Sequence, residues 1–210
     1  MAINKRKPPI KETVGAQYIC FATENEDGVF DATYEEDVER TDVVKNVSLS
    51  EDIESTVVRA SGIDYDDVSS SSGTEISVEV VAFPAETLAK MRGDIIDTSG
   101  LIISKTTPHK PYFAYGKVVK MKNNSLRFDW YPKCMLSGNT DDVATSEESF
   151  SEQNDTLTIR AMAFDDSGKI VTSIRGDYKM PEGLTEDKFF SKPILSVADL
   201  TSVLDEGESV

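Results

Sequence analysis

Few residues of this chain could act as a nucleophile, a general base or a soft-metal ligand. The 210-residue sequence contains one His and two Cys, which excludes a zinc site built from several Cys and His residues and a dense disulfide framework. His109 with Cys134 is the one thiol–imidazole pair worth weighing, and a base of that kind also needs an orienting partner. The sequence lacks a Gly-x-Ser-x-Gly elbow, a phosphate-binding loop and a His-Glu-x-x-His motif. We therefore interpret His109 as an exposed turn residue and predict that the chain is not an enzyme and uses no cofactor.

Carboxylates are the abundant reactive groups. The chain has 38 Asp and Glu against 22 Lys and Arg, a net charge of −16, which argues against a basic surface that grips nucleic acid. Calcium prefers such oxygen ligands, and Asp64–Asp67 and Asp27–Asp31 are the best candidate segments. Neither has the spacing of an EF-hand loop, so we predict no metal site. A pair of catalytic carboxylates stays open as an alternative because acids occur throughout the chain.

Apolar alternation indicates a mainly β protein. Residues 74–83 alternate most clearly, with Ile76, Val78 and Val80 on one face and Glu75, Ser77 and Glu79 on the other. Further strands are expected over 14–22, 101–104, 112–121, 125–135, 156–164 and 169–175, and over 43–59 as two short strands or one bent strand. The predicted fold is an antiparallel β-sandwich or barrel with one flanking helix.

Two other segments have a clear local signature. Pro84 followed by 85–93 fits a helix that begins after a proline and ends at Gly93. Residues 60–73 are rich in Ser, Asp and Gly, which predicts a long polar loop.

The ends of the chain differ from its middle. Basic residues surround Pro8 and Pro9 near the start, and residues 181–210 carry helical spacing of apolar side chains. We therefore divide the chain into an N-terminal arm (1–13), a β-domain (14–180) and a C-terminal tail or arm (181–210). The longest apolar runs are far shorter than the roughly 20 residues that span a bilayer, and no signal-peptide core follows the basic start. We expect no membrane insertion, synthesis in the cytoplasm, and Cys20 and Cys134 as reduced, buried residues.

The order of these elements resembles the major tail, or tail-tube, proteins of long-tailed, non-contractile bacteriophages. Three stretches carry the resemblance, which spans roughly residues 14–180: the polar segment from Gly62 through the strand and helix to Gly93; Pro111–Val118 with the aromatic strand Leu126–Cys134; and Leu157–Phe164 with the turn that ends at Gly168. The resemblance implies a structural virion protein without catalytic activity.

The resemblance also implies how the chain is used. Such subunits self-assemble into hexameric rings that stack into a tail tube, the conduit for genome ejection, whose lumen is lined by strands from every subunit. Expected partners are other copies of the chain, the tape-measure protein, the tail terminator and distal tail proteins, with DNA as passing cargo only. The chain would be assembled in the host cytoplasm and located in the virion tail.

The resemblance and the polar strand faces together select candidate residues. The lumen-facing candidates are Glu75, Ser77, Glu79, Thr158 and Arg160. The candidates for an inter-ring loop are Ser61, Gly62, Ile63, Asp64, Tyr65, Asp66 and Asp67. An alternative function is a β-sandwich carbohydrate-binding or adhesion module, which predicts a monomer or small oligomer with a ligand groove; a tail-like bacteriocin would use the same subunit as a phage.

Overall fold

A computed structural model describes residues 7–23, 29–145 and 152–205 of the chain. Its strands are β1 (Lys11–Phe21), β2 (Glu39–Thr41), β3 (Val44–Ala60), β4 (Ile63–Val80), β5 (Ile95–Ile96), β6 (Ile102–Ile103), β7 (Phe113–Met121), β8 (Leu126–Asp141), β9 (Asp155–Met162) and β10 (Thr172–Arg175). Its helices are α1 (Ala85–Arg92), α2 (Glu186–Phe189) and α3 (Val197–Asp205). The mainly β, antiparallel prediction is confirmed.

One eight-stranded antiparallel sheet forms the body of the described structure. Its order is β2-β1-β7-β8-β9-β4-β3, with β10 added beside β8, while β5 and β6 form a separate two-stranded sheet. The sheet curls back on itself, since a cavity of about 330 Å³ is lined by residues of both β1 and β3. In the described part of the chain β3 pairs with β4 alone, so the sheet does not close into a barrel.

The concave face of the sheet holds the first of two apolar clusters. The strand alternation predicted for 74–83 is confirmed, because Ile76, Val78 and Val80 are fully buried there. Leu157 and Ile159 of β9 lie beside them and join the same cluster. Met91 of α1 packs into this cluster, so the helix covers one end of the concave face. The predicted helix and its end at Gly93, in the left-handed conformation, are also confirmed.

The second cluster lies on the opposite face, where the C-terminal segment packs. Phe190 stacks on Tyr18 of β1 with ring centroids 3.9 Å apart, and Trp130 of β8 donates a hydrogen bond from Nε1 to the backbone oxygen of Phe189 at 3.1 Å. Ile194 and Val203 are buried in the same cluster. Residues 184–205 therefore complete the fold by covering β1, β7 and β8.

The predicted long polar loop at 60–73 is wrong. Ser61 and Gly62 alone make a two-residue turn, both with positive φ (54° and 79°), and β4 begins at Ile63. Such a turn joins two strands of matching twist directly. The 43–59 segment is correspondingly one strand, β3, rather than two short ones. The strands are held by backbone pairing along the whole hairpin, which requires no apolar alternation and so leaves little trace in the sequence.

Candidate functional site

The five lumen candidates lie together on one face of the sheet. Glu75, Ser77 and Glu79 of β4 pair in register with Arg160, Thr158 and Thr156 of β9. On the other side of β4 they pair with Ser50, Ser48 and Asn46 of β3. Because their neighbours along each strand, such as Ile76 and Ile159, point into the buried concave cluster, the candidates point away from it.

We name this surface the polar face: the outward side of the strands β3, β4, β9 and the C-terminal part of β8. Its members are Asn46, Ser48, Ser50, Asp52, Glu75, Ser77, Glu79, Thr156, Thr158, Arg160 and Thr140. Their side chains are polar or charged, and all are exposed or half-buried. Met135 of β8, which pairs with Arg160, adds one half-buried apolar side chain to this face. A sheet that is apolar on one side and predominantly polar on the other offers a hydrophilic wall.

The charges on the polar face are predominantly negative. The positive charge of Arg160 is offset by Asp52, with the guanidinium nitrogen 3.8 Å from the carboxylate oxygen. Glu79 accepts a hydrogen bond of 3.0 Å from the neutral side chain of Asn154, and Glu75 is exposed. The positive charge of Arg160 is thus compensated in the described structure, and the two glutamates give the face its acidic character.

The inter-ring candidates lie at the tip of the β3–β4 hairpin. Residues 61–62 form its turn, and 63–67 begin β4 opposite 57–60. β4 pairs with β9 only from Thr74 onward, so in the described part of the chain the hairpin beyond this point is a two-stranded arm. Ile53, Val57 and Ile63 on this arm are exposed. We call residues 53–71 the hairpin arm; the side chains of Asp64, Tyr65, Asp66 and Asp67 lie outside the described ones.

The residues considered for catalysis are not arranged for it. Cys134 is fully buried, and burial raises the pKa of its thiol far above the ordinary value, whereas His109 is exposed in the irregular segment before β7. Burial likewise raises the pKa of Cys20 to about 12. A thiol in this state is not a nucleophile at neutral pH. The expectation that both cysteines are buried and unpaired with each other is confirmed.

The described residues also hold no grouping that resembles a metal site. Within 7–23, 29–145 and 152–205, no three His, Cys, Asp or Glu side chains come together as ligands. Asp31 accepts a hydrogen bond from the backbone nitrogen of Thr33 at 3.1 Å. The other members of the two calcium candidates, Asp27 and the side chains of 64–67, lie outside the described part. No helix of the described chain has both the length and the apolar character needed to cross a bilayer.

A buried charge network on β8 was not anticipated from the sequence. Asp129 has no exposed surface and accepts hydrogen bonds from Lys117 Nζ, Arg127 Nε (2.8 Å) and Ser173 Oγ (2.6 Å). Burial alone would raise the pKa of Asp129, but the nearby Lys117 and these donors lower it below its usual value. The network ties β7, β8 and β10 together. A single acid between two aromatic residues, Phe128 and Trp130, is the sequence signal that could have revealed it.

The comparisons with known proteins find similarity among solved structures but not among family models or curated proteins. No family model matches the chain, and no curated protein matches it. Among solved structures, the chain is similar to one in a cryo-EM structure of the anti-feeding prophage baseplate, six-fold symmetrised. The TM-score is 0.40 at 9% sequence identity, with 83% of this chain and 97% of that chain covered. A similarity this low does not establish a common fold.

Proposed function

We propose that this chain is a structural subunit of a phage tail or tail-like particle, and that copies of it form hexameric rings which stack into a tube with the polar face toward the lumen. The observation that carries the proposal is the polar face itself. An exposed sheet surface of small polar and acidic side chains, backed by a complete apolar core, suits the wall of an aqueous channel.

Free strand edges on both sides of the polar face support ring closure. In the described structure β3 pairs with β4 on one side only, and the end of β8 beyond Cys134 pairs with β9 only. Lys110 Nζ of the same copy already donates to the backbone oxygens of Leu136 and Ser137, at 2.8 and 3.5 Å, so the part of this edge available to a second copy is 138–141. Unpaired edges are association hazards unless another chain covers them. Pairing β3 of one copy with the end of β8 in the next covers both edges and continues the polar face around a ring.

The charge of the polar face suits DNA as cargo. Binding to DNA depends on Lys and Arg that displace counterions from the phosphates. Glu75 and Glu79 have the opposite charge, and Arg160 is compensated by Asp52. A lumen of this kind repels phosphate, so DNA passes without a strong or salt-dependent attachment.

The hairpin arm supplies a contact between successive rings. It extends beyond the point where β9 stops pairing with β4, and it exposes three aliphatic side chains, Ile53, Val57 and Ile63. Exposed aliphatic groups on a projecting hairpin are typical of surfaces that are covered in an assembly. The proposed partners beyond the chain itself are a tape-measure protein, a tail terminator and distal tail proteins, and the proposed location is the tail of the particle.

Thiol labelling of assembled particles tests the orientation of the polar face. The native cysteines are buried, so a single introduced cysteine reports its own position. Glu75→Cys marks the polar face, and Asp187→Cys is the matched control away from it, on α2, which covers β1, β7 and the start of β8. In free subunits both react with a 5 kDa maleimide–polyethylene glycol; in tubes we expect the reaction of Glu75→Cys to slow by about tenfold or more because the lumen excludes the polymer, while Asp187→Cys is unchanged.

Electron microscopy of the same samples decides the assembly itself. Rings or hollow tubes at high protein concentration support the proposal. Tubes in which Glu75→Cys remains as reactive as Asp187→Cys contradict the orientation. A monodisperse monomer, combined with absence of the chain from purified tail shafts by immunogold labelling, contradicts the tube proposal and favours a binding module.

A further inference from the structure

An exposed aliphatic hairpin follows α1. Its two short strands, β5 and β6, pair Ile95 with Ile103 and Ile96 with Ile102. These four residues and Leu101 are each between 41% and 57% exposed. Single exposed aliphatic residues are ordinary, but this nine-residue hairpin exposes five. Because successive strand residues point to opposite faces, the pairs Ile95–Ile103 and Ile96–Ile102 give both faces of the hairpin an aliphatic side chain pair. Such a concentration of exposed aliphatic groups is typical of an interaction site. We call residues 95–103 the isoleucine hairpin.

An apolar groove lies between β10 and α3. A cavity of about 440 Å³ is lined on the strand side by Ile174 and on the helix side by Ile194, Val197 and Leu200. It continues past Ile174 and Leu200 into a second depression lined by Tyr178 and Pro181. Val197 and Tyr178 are more than three-quarters exposed. In the described part of the chain β10 pairs with β8 only, so the groove is open along this strand.

The two surfaces carry opposite charges beside their apolar residues. Asp97 lies at the turn of the isoleucine hairpin, where its carboxylate accepts hydrogen bonds from Thr98 and Ser99 that lower its pKa and keep it ionised. Lysine and arginine side chains border the groove and its continuation: Lys169, Arg175 and Lys179. Lys169 and Arg175 are paired with Asp165 and Asp177 of the same copy, so the exposed Lys179 beside Tyr178 supplies the positive charge that complements Asp97.

The isoleucine hairpin of one copy cannot reach the groove of the same copy. The isoleucine hairpin follows α1, which packs on the concave face near the end of β1, with Lys90 Nζ 4.1 Å from the ring centroid of Phe21. The groove lies on the opposite face, and β10 pairs with residues 127–130 near the start of β8. The hairpin and groove are therefore on opposite faces and toward opposite ends of the sheet.

We infer that the isoleucine hairpin of one copy docks in the groove between β10 and α3 of a second copy. The contact is heterologous, so each copy retains a free hairpin at one end and a free groove at the other and the association continues head to tail. This inference rests on the proposed self-assembly and adds to it a second contact, separate from the hairpin arm. It assigns the C-terminal segment a role in the assembly surface as well as in the fold.

Cysteine cross-linking between two variants tests the contact. Ile102→Cys places a thiol on the hairpin, and Val197→Cys places one at the groove. Mixed under mild oxidation at assembly concentration, the two variants form a disulfide-linked dimer. We expect about tenfold more of it than from Ile102→Cys mixed with Val143→Cys, because docking raises the effective concentration of the two thiols. Val143 is an exposed aliphatic residue outside both surfaces, and each variant alone should give the same low background.

A second variant tests the contact without cross-linking. Ile102→Asp places a charge in the docked hairpin and should raise the protein concentration needed for assembly by about tenfold or more, while Val143→Asp leaves it unchanged. Fluorescence of the buried Trp130 verifies that each variant is folded.

The outcomes separate this inference from the proposed tube. Rings or tubes without preferential cross-linking of Ile102→Cys to Val197→Cys overturn the docking and leave the tube intact. Preferential cross-linking without hollow particles supports the docking and contradicts the tube. Neither particles nor preferential cross-linking overturns both.

Discussion

Replacing Asp129 should destabilise the protein strongly, because the replacement leaves a lysine buried without its counter-ion. Asp129 has no exposed surface, and the side chain of Lys117 is 3% exposed. Removing one partner of a buried ion pair typically costs about 3–5 kcal/mol, more than the pair itself contributes. Since domains are commonly stable by only about 5–15 kcal/mol, Asp129→Ala should remove a large share of the free energy of unfolding.

Variants at Lys117 separate the cost of an unpaired buried charge from the cost of lost hydrogen bonds. In Lys117→Met, Asp129 still accepts hydrogen bonds from Arg127 Nε and Ser173 Oγ, so we expect a smaller cost of about 1.5–3 kcal/mol. The double variant Lys117→Met with Asp129→Ala removes both buried charges and should cost no more than about 2 kcal/mol, a residual cost that comes from the lost hydrogen bonds of Arg127 and Ser173. The two effects should therefore deviate from additivity by more than about 2 kcal/mol.

Urea unfolding followed by tryptophan fluorescence measures these differences directly. Trp130 is the single tryptophan of the chain and is fully buried beside Asp129, so its emission reports loss of this part of the core. The reasoning is refuted if Asp129→Ala costs less than about 1 kcal/mol, or if the single and double variants are additive.

The pH dependence of stability provides an independent measurement. The pKa of Asp129 is lowered in the folded protein, so the unfolded chain binds its proton more readily. The ionised carboxylate stabilises the fold above the unfolded pKa of about 3.9, and this contribution is lost as the pH falls through the lower folded value. Between about pH 5 and the folded pKa, the wild type should lose stability more steeply than Asp129→Ala; parallel curves would contradict the assignment.

Three further predictions concern the end of α1, the C-terminal segment and the buried cysteines. Gly93→Ala should cost more than about 2 kcal/mol in urea unfolding, because Gly93 has a φ of 72° and an added Cβ would overlap the backbone oxygen of His109; an unchanged midpoint would contradict this. Phe190→Ala should cost about 3–5 kcal/mol and increase proteolysis after residue 180, because its ring contacts three aromatic side chains on the sheet and that of Phe189 at the end of α2. A wild-type digestion pattern would disprove that the ring anchors this segment. Cys20 and Cys134 should not react with Ellman's reagent at pH 8 in the folded state and should both react in urea, because burial raises the pKa of both thiols; rapid reaction of the native protein would refute it.

The sequence was most informative where one side of an element is buried. The alternation of Ile76, Val78 and Val80 identified both a strand and its buried face, and Pro84 and Gly93 bounded α1 closely. These features are local, because the period of the apolar residues and the backbone preferences of Pro and Gly act within one element. Burial of the two cysteines was predicted on a different basis, because an unoxidised cysteine is a small apolar side chain.

The sequence was least informative where pairing does not depend on burial. Residues 60–73 read as a loop because of their Ser, Asp and Gly content, yet most of them continue β4 through backbone hydrogen bonds to β3. The C-terminal segment presented a similar difficulty. Its helices are too short to be stable alone, and they form against Tyr18 and Trp130, which lie more than 50 residues away in the chain.

The sequence by itself determined the fold class, the apolar and polar sides of the clearest strands, and the acidity of the chain. Only the tertiary structure decided which polar residues share a surface. Glu75 and Arg160 are 85 positions apart and meet because β4 and β9 pair in one register. The isoleucine hairpin and the groove at β10 and α3 likewise come to lie toward opposite ends of the main sheet only after folding. Apolar periodicity reports on one element at a time. A surface for assembly depends instead on strands that pair across long separations in the chain, and the packing of the complete core sets that pairing.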